Sequence, residues 1–200
     1  MELSEALRRR RMTRRYDPAR AVPPAAVEAV VAAALRAPSA GFTQGVSLLV
    51  LDDSVDRDAF WAATGRGPSR WLDGMRTAPV LVLVWTSREA YLDRYAEPDK
   101  GWTDRDPERW SAPYWFVDAG MAAMAALLAA VDAGLGACFF GVPADRVPAV
   151  RAAFGVPADQ LSVGVVSLGH PAPDAATTGS ATRRPRRPAA ALVHRGHWSA

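Results

Sequence analysis

Between residues 23 and 38 the stretch PPAAVEAVVAAALRAP places Val27, Val30, Val31 and Leu35 at helical spacing, with proline in the first turn and a stop before Pro38. That pattern predicts an amphipathic helix. Residues 2–11 predict a shorter helix that ends at an arginine cluster, and residues 144–154 another, stopped by Gly155. VSLLVLDD (46–53), APVLVLVWTS (78–87), ACFF (137–140) and LSVGVVSLG (161–169) are of a different kind. They are short, unbroken and rich in apolar residues, as strands buried on both faces are. Such strands need helices over both faces, so their alternation with helical segments predicts a mixed sheet in an α/β or α+β layered domain.

From Ala119 to Ala133 the chain is nearly all Ala, Met, Leu and Val. With no polar face, this segment predicts a central helix enclosed by other elements and capped near Gly134 or Gly136. Asp118 and Asp132 read as its boundaries. Two segments break the pattern. Residues 91–115 are polar but carry Trp102, Trp110, Tyr114 and Trp115, whereas residues 171–190 are rich in Pro, Ala, Thr and Ser, contain RRPRRP, and lead into a brief apolar ALVH. No internal repeat is present.

At 200 residues, half of them apolar, the chain is expected to form one domain with a sizeable core. The net charge of +3 is modest; the pI near 9.5 arises because the cations are arginines apart from Lys100. That is a weak argument for nucleic acid. The single cysteine, Cys138, excludes an intramolecular disulfide framework and a multi-cysteine zinc site, and fits a reducing compartment. Beside Phe139 and Phe140, with no histidine near in sequence, it reads as a small buried hydrophobe rather than a reactive thiol. The first residues lack the apolar centre of a signal peptide, and the run from Ala119 to Val131 is shorter than the ~20 residues that cross a bilayer. The expectation is a soluble cytoplasmic protein without membrane or nucleic-acid partners.

The short motifs that announce chemistry are absent: no Walker loop, no His-Glu-x-x-His, no Gly-x-Ser-x-Gly and no Gly-rich dinucleotide turn. The three histidines lie in the last 31 residues, too few and too late for a metal centre or a Ser-His-Asp triad. Either the protein does no chemistry or a cofactor does it. Residues 9–15 hold five arginines in seven positions, and a second cluster occupies 183–187. The planar fork of arginine suits phosphate, although either cluster alone also reads as a solvated charge run. Between helix and strand lies APSAGFTQ (37–44), whose small residues would let a flat ligand approach the backbone while Ser39 and Gln44 bond an amide-like edge. The same residues suit a plain connecting loop.

Taken in order, Arg-Arg-x-x-Arg-Arg-Tyr near the start, Ala-Pro-Ser-Ala-Gly-x-x-Gln after the second helix, Gly-Leu-Gly after the Ala-rich helix and Arg-x-Arg near the end, the chain resembles the FMN-dependent nitroreductase family over essentially its whole length. The resemblance implies an α+β fold, nitroreductase-like, with a central mixed β-sheet flanked by helices, and an intertwined homodimer with FMN at the subunit interface. It implies that Arg10, Arg11 and Arg14 hold the phosphate and ribityl end, with Met12 in the same stretch, and that Arg186 and Arg184 close on that phosphate. Pro38, Ser39, Ala40, Phe42 and Gln44 would line the flavin ring, and Phe140 with Gly141 would present backbone near its N5. Segment 91–115 would be a variable lid, with Trp102 and Trp110 facing substrate; for Tyr114 and Trp115, packing at the start of the central helix is an equal reading. Residues 171–200 would be an extension contacting the partner subunit.

The implied activity is hydride transfer from NADPH or NADH through the flavin to a nitroaromatic, a quinone or a similar small acceptor. No catalytic side chain and no metal are expected. The sequence departs from the family pattern at four places. Met12 stands for a common Ser, Phe42 for Asn, Gly45-Val46 for Pro-Trp, and Phe140 for a frequent Glu. These keep open weaker FMN binding, or a specialised reaction such as dehydrogenation, dehalogenation or flavin fragmentation. A basic module gripping a polyanion through both arginine clusters is the alternative from another class.

Overall fold

The computed structural model describes residues 1–65, 67–175 and 180–198. In chain order the elements are α1 (Leu3–Arg9), α2 (Pro24–Leu35), β1 (Val46–Leu51), α3 (Ser54–Thr64), α4 (Arg70–Met75), β2 (Val80–Ser87), α5 (Arg88–Ala96), α6 (Tyr114–Asp132), β3 (Gly136–Phe140), α7 (Val147–Phe154) and β4 (Gln160–Gly169). The strands form one sheet in the order β1-β2-β4-β3.

β2 is buried along its whole length, and its alternation sorts the core into two halves. Val80, Val82 and Val84 point to one side, where they meet Val27 and Val30 of α2 and the alanines of α6. Leu81, Leu83 and Trp85 point to the other, against Phe60 and Trp61 of α3, Leu72 and Met75 of α4 and Val150 of α7. A period of two with both faces apolar is what a sheet sandwiched between two helical layers requires.

All three strand pairings are antiparallel, which corrects the expected mixed sheet to an antiparallel one within the same α+β class. Unbroken apolar strands are typical of parallel sheets because those are covered on both faces, but an antiparallel sheet covered on both faces produces the same runs. Among the described residues, parallel pairing is confined to the isolated bridge of Met12 with Ala137 at the β3 edge.

α2 has the expected bounds, whereas α6 begins earlier, at Tyr114. β1 stops two residues short of the expected strand because the Asp53 side chain accepts from Val55 N–H at 2.7 Å and caps α3. Nor is α6 enclosed. One face packs on α2 and the sheet, while Phe116, Val117, Met121 and Met124 stay 37–44% exposed on the opposite face. At 19 residues and a mean hydropathy of 1.6 this helix has the length and apolarity of a membrane span, but its buried face is core to this fold. Toward the C-terminus the chain forms short turns at Ser180–Arg183 and Ala189–Ala191, with Leu192 and Val193 exposed.

Candidate functional site

After α1 the chain runs extended beside β3, held by Thr13 N–H donating to the Ala137 carbonyl at 2.9 Å. Tyr16 fixes the end of this stretch. Its buried hydroxyl lies 2.7 Å from both the Thr13 carbonyl and Ser167 Oγ, and Tyr16 N–H donates to Thr77 Oγ1 at 2.8 Å. Burial raises the Tyr16 phenol well above its ordinary pKa, so it stays a neutral hydrogen-bonding post. Gly74 of α4 lets the strip lie flat, because a Cβ there would sit 2.2 Å from the Arg14 carbonyl.

The strip walls a cleft of about 290 Å³, lined by Arg11, Arg14, Arg15, Arg70, Trp71 and Asp174 among others. Four guanidinium groups face one carboxylate, and that carboxylate is taken by Arg15 at 3.5 Å. Arg11 Nη1 folds back on the carbonyls of Arg8 and Arg10 at 2.6 and 3.0 Å, and Arg14 Nη1 donates to the Met12 carbonyl at 3.3 Å. Next to them in the chain, Arg10 Nη1 is buried with no hydrogen-bond partner among the described residues. A buried cationic nitrogen without an acceptor is costly, and an anion relieves the cost. Arg10 is not among the residues lining the cleft, but the excess of cation that Arg11, Arg14, Arg15 and Arg70 create there fits a phosphate-bearing ligand. Arg70 and Trp71 escaped the sequence reading because only the α4 packing brings them beside residues 11–15. Met12 wedges between the two halves of the core instead of presenting a polar group. Arg184 and Arg186 are exposed and do not line the cleft within the chain.

Phe140 packs its ring into the aromatic cluster of α3 and α4. It stacks on Trp61 (5.9 Å, 10° between planes) and meets Trp71 edge-on at 5.5 Å. Gly141, the next residue, has open space where a Cβ would be. Burial pushes the Cys138 thiol up, consistent with an inert core position.

The 38–44 loop lies elsewhere. Gly45, just after it, accepts Ser87 N–H at 3.0 Å, so the loop sits at the end of the sheet where Ser87 pairs with Gln160. The arginine strip sits where Ala137 pairs with Leu168. Along β4 these ends are roughly 25 Å apart at ~3.3 Å per residue. Pro38, Ser39, Ala40, Phe42 and Gln44 are thus gathered in one turn, but not with Arg10, Arg11 and Arg14. Within the turn Gly41, Phe42 and Gln44 all have positive φ (61°, 55° and 55°), and the Phe42 ring is 76% exposed. Ser39 Oγ accepts Gln44 N–H at 2.9 Å. Asp118, expected to bound the central helix, is instead inside α6 and buried, with Oδ2 accepting Ala40 N–H at 2.8 Å and the Tyr91 hydroxyl at 2.7 Å.

The 91–115 segment is packed onto this loop. Trp110 centres an aromatic cluster, 4.3 Å from Tyr95 and 5.4 Å from both Trp102 and Tyr114, while Arg109 lies over Trp102 at 5.5 Å. Ion pairs of Arg94 with Asp99 (2.6 Å), of Arg105 with Glu89 (2.9 Å) and with Asp93, and of Arg109 with Asp104 (2.6 Å) tie it down. Trp102 and Trp110 belong to a wall already in contact with the loop's supports.

The family model of the nitroreductase family matches residues 7–71 and 66–170 of this chain. No curated protein matches it. Among solved structures, a protein of Desulfovibrio desulfuricans described as a nitroreductase in complex with FMN is 26% identical, with 100% of this chain and 99% of that chain covered at a TM-score of 0.73. One from Exiguobacterium sibiricum, also described as a nitroreductase in complex with FMN, is 19% identical, with coverage of 100% and 98% and a TM-score of 0.74. A Parabacteroides distasonis protein described as an NADH dehydrogenase/NAD(P)H nitroreductase is 19% identical, with 98% of both chains covered and a TM-score of 0.72.

Proposed function

Because the chain belongs to the nitroreductase family, we propose that it is an FMN-dependent oxidoreductase that works as a homodimer and reduces a nitroaromatic, quinone or similar small acceptor with NADH or NADPH. The observation that carries this reading is the cleft in which Arg11, Arg14, Arg15 and Arg70 face the single carboxylate of Asp174. Arg10, Arg11 and Arg14 would hold the phosphate, with Arg70 and Trp71 at the neighbouring wall. Phe140 and Gly141 would offer backbone groups to the ring. When bound, FMN supplies hydride transfer, which leaves the protein the tasks of gripping, orienting and excluding water.

FMN is shorter than the separation between the arginine strip and the 38–44 loop, so one chain cannot grip both of its ends. In a dimer the loop of one copy would complete the site of the other. The exposed apolar face of α6 supports that assembly, since such a face on a soluble domain calls for a partner.

The test is a visible absorption spectrum of purified protein before and after FMN, followed by NADPH or NADH under anaerobic conditions. Retained flavin that bleaches with nicotinamide supports the reading. A protein that does not retain FMN, with affinity for a polyanion that falls steeply with salt, refutes it in favour of a basic binding module.

A further inference from the structure

Asp118 is a carboxylic acid placed in the second turn of an alanine-rich helix and left 2% exposed, a position that core packing alone gives to an apolar residue. Its Oδ2 is shared by two donors from different elements, Ala40 N–H of the loop and the Tyr91 hydroxyl of α5. The turn it holds is strained: Phe42 and Gln44 adopt left-handed backbone without being glycine. Strain of this kind persists only where the surroundings over-determine it, and it gathers at functional sites.

Those surroundings are specific. Arg94 Nε donates to the Gly41 carbonyl at 2.8 Å. A Cβ on Gly41 would lie 2.7 Å from the Tyr95 ring, and one on Gly45 2.5 Å from the Tyr91 ring. The loop therefore rests on two tyrosines one helical turn apart on α5, with Asp118 binding the Ala40 N–H that opens its 3₁₀ turn. Gly45, where the family pattern has proline, is the residue the Tyr91 ring demands.

We propose that Asp118, with Tyr91, is the positioning residue of the flavin-facing loop. It holds Ala40 and so sets the turn through Phe42 that meets the ring. This rests on the FMN reading above.

The experiment compares Asp118→Ala, Asp118→Asn and Ala40→Pro with the parent protein. Three readouts are taken: amide exchange at Ala40 without flavin, FMN affinity by fluorescence quenching, and the visible spectrum of bound flavin. The Asn oxygen can accept both donors, whereas Ala accepts neither. Ala40→Pro removes the N–H and sets its ring Cδ against Asp118 Oδ2, so it breaks the same contact from the loop side, at the first position of a 3₁₀ turn preceded by an extended Ser39. Asp118→Ala is expected to speed Ala40 exchange and weaken FMN at least tenfold, with the bound spectrum moving toward that of free FMN. Asp118→Asn is expected to restore protection, spectrum and most of the affinity. Ala40→Pro reproduces the flavin effects even if Asp118→Ala folds poorly. Parent-like FMN affinity and spectrum in Asp118→Ala or Ala40→Pro, or an Asn variant as impaired as the Ala variant, overturns the positioning role alone. A parent protein that binds no FMN overturns the functional reading and this inference with it.

Discussion

Met121→Glu should convert the proposed dimer into monomers. Met121 lies on the apolar stripe of α6, 37% exposed, with Val117 (44%), Met124 (37%) and Phe116 (40%) around it. Burying a whole side chain of this kind is worth about 1.5–3 kcal/mol, so the exposed two-fifths contributes roughly 0.6–1.2 kcal/mol each, or about 5–10 kcal/mol gross for four residues on two copies. Replacing Met121 forfeits its share twice and puts two carboxylates into the seam, each costing on the order of several kcal/mol to desolvate. A net loss of at least about 3 kcal/mol raises the dimer Kd more than roughly 100-fold. Sedimentation velocity across a concentration series reads this directly. Val55→Glu, at a 74% exposed position on α3, serves as the control that adds the same charge away from the stripe. The monomeric variant should also lose FMN, because loop and arginines then never meet. The reasoning fails if Met121→Glu sediments as the parent does, or if Val55→Glu dissociates equally.

Other outcomes follow from particular contacts. Gly45→Ala should cost about 1–3 kcal/mol in urea denaturation, because its methyl would meet the Tyr91 ring; Gly141→Ala, with open space at that point, should cost much less. Tyr16→Phe should cost about 1–3 kcal/mol by removing a buried hydroxyl from Ser167 and Thr13. The Tyr16 phenol is raised by burial, so its contribution is complete below an unfolded pKa of about 10 and declines above it by about 1.4 kcal/mol per pH unit. Urea midpoints from pH 9 to 11 should fall more steeply for the parent than for Tyr16→Phe; parallel curves count against this. Deleting residues 189–200, which expose Leu192 and Val193, should weaken the dimer by sedimentation if they reach the partner.

Local signals were sufficient wherever the controlling interaction is itself local. The proline-led α2, the unbroken strand runs and the arginine strip could all be read from spacing, because helix periodicity and two-sided burial leave their mark within a few residues. Asp53 shows the limit: the same aspartates that mark a strand end also cap the next helix. Periodicity records that a face is buried, not which strand lies beside it, so the antiparallel order β1-β2-β4-β3 had to come from the fold. The α6 stripe differs from the enclosed helix expected for the same reason, since an apolar residue facing a core and one left exposed look alike in sequence. Asp118 resembled a helix boundary until folding placed it against Ala40 and Tyr91, 78 and 27 residues away. So the sequence by itself determined what kinds of group are present: arginines whose forks suit an anion, and a loop of small residues. Tertiary structure alone decided where they stand, at opposite ends of the sheet, because distance along β4 is set by strand pairing and not by separation in the chain.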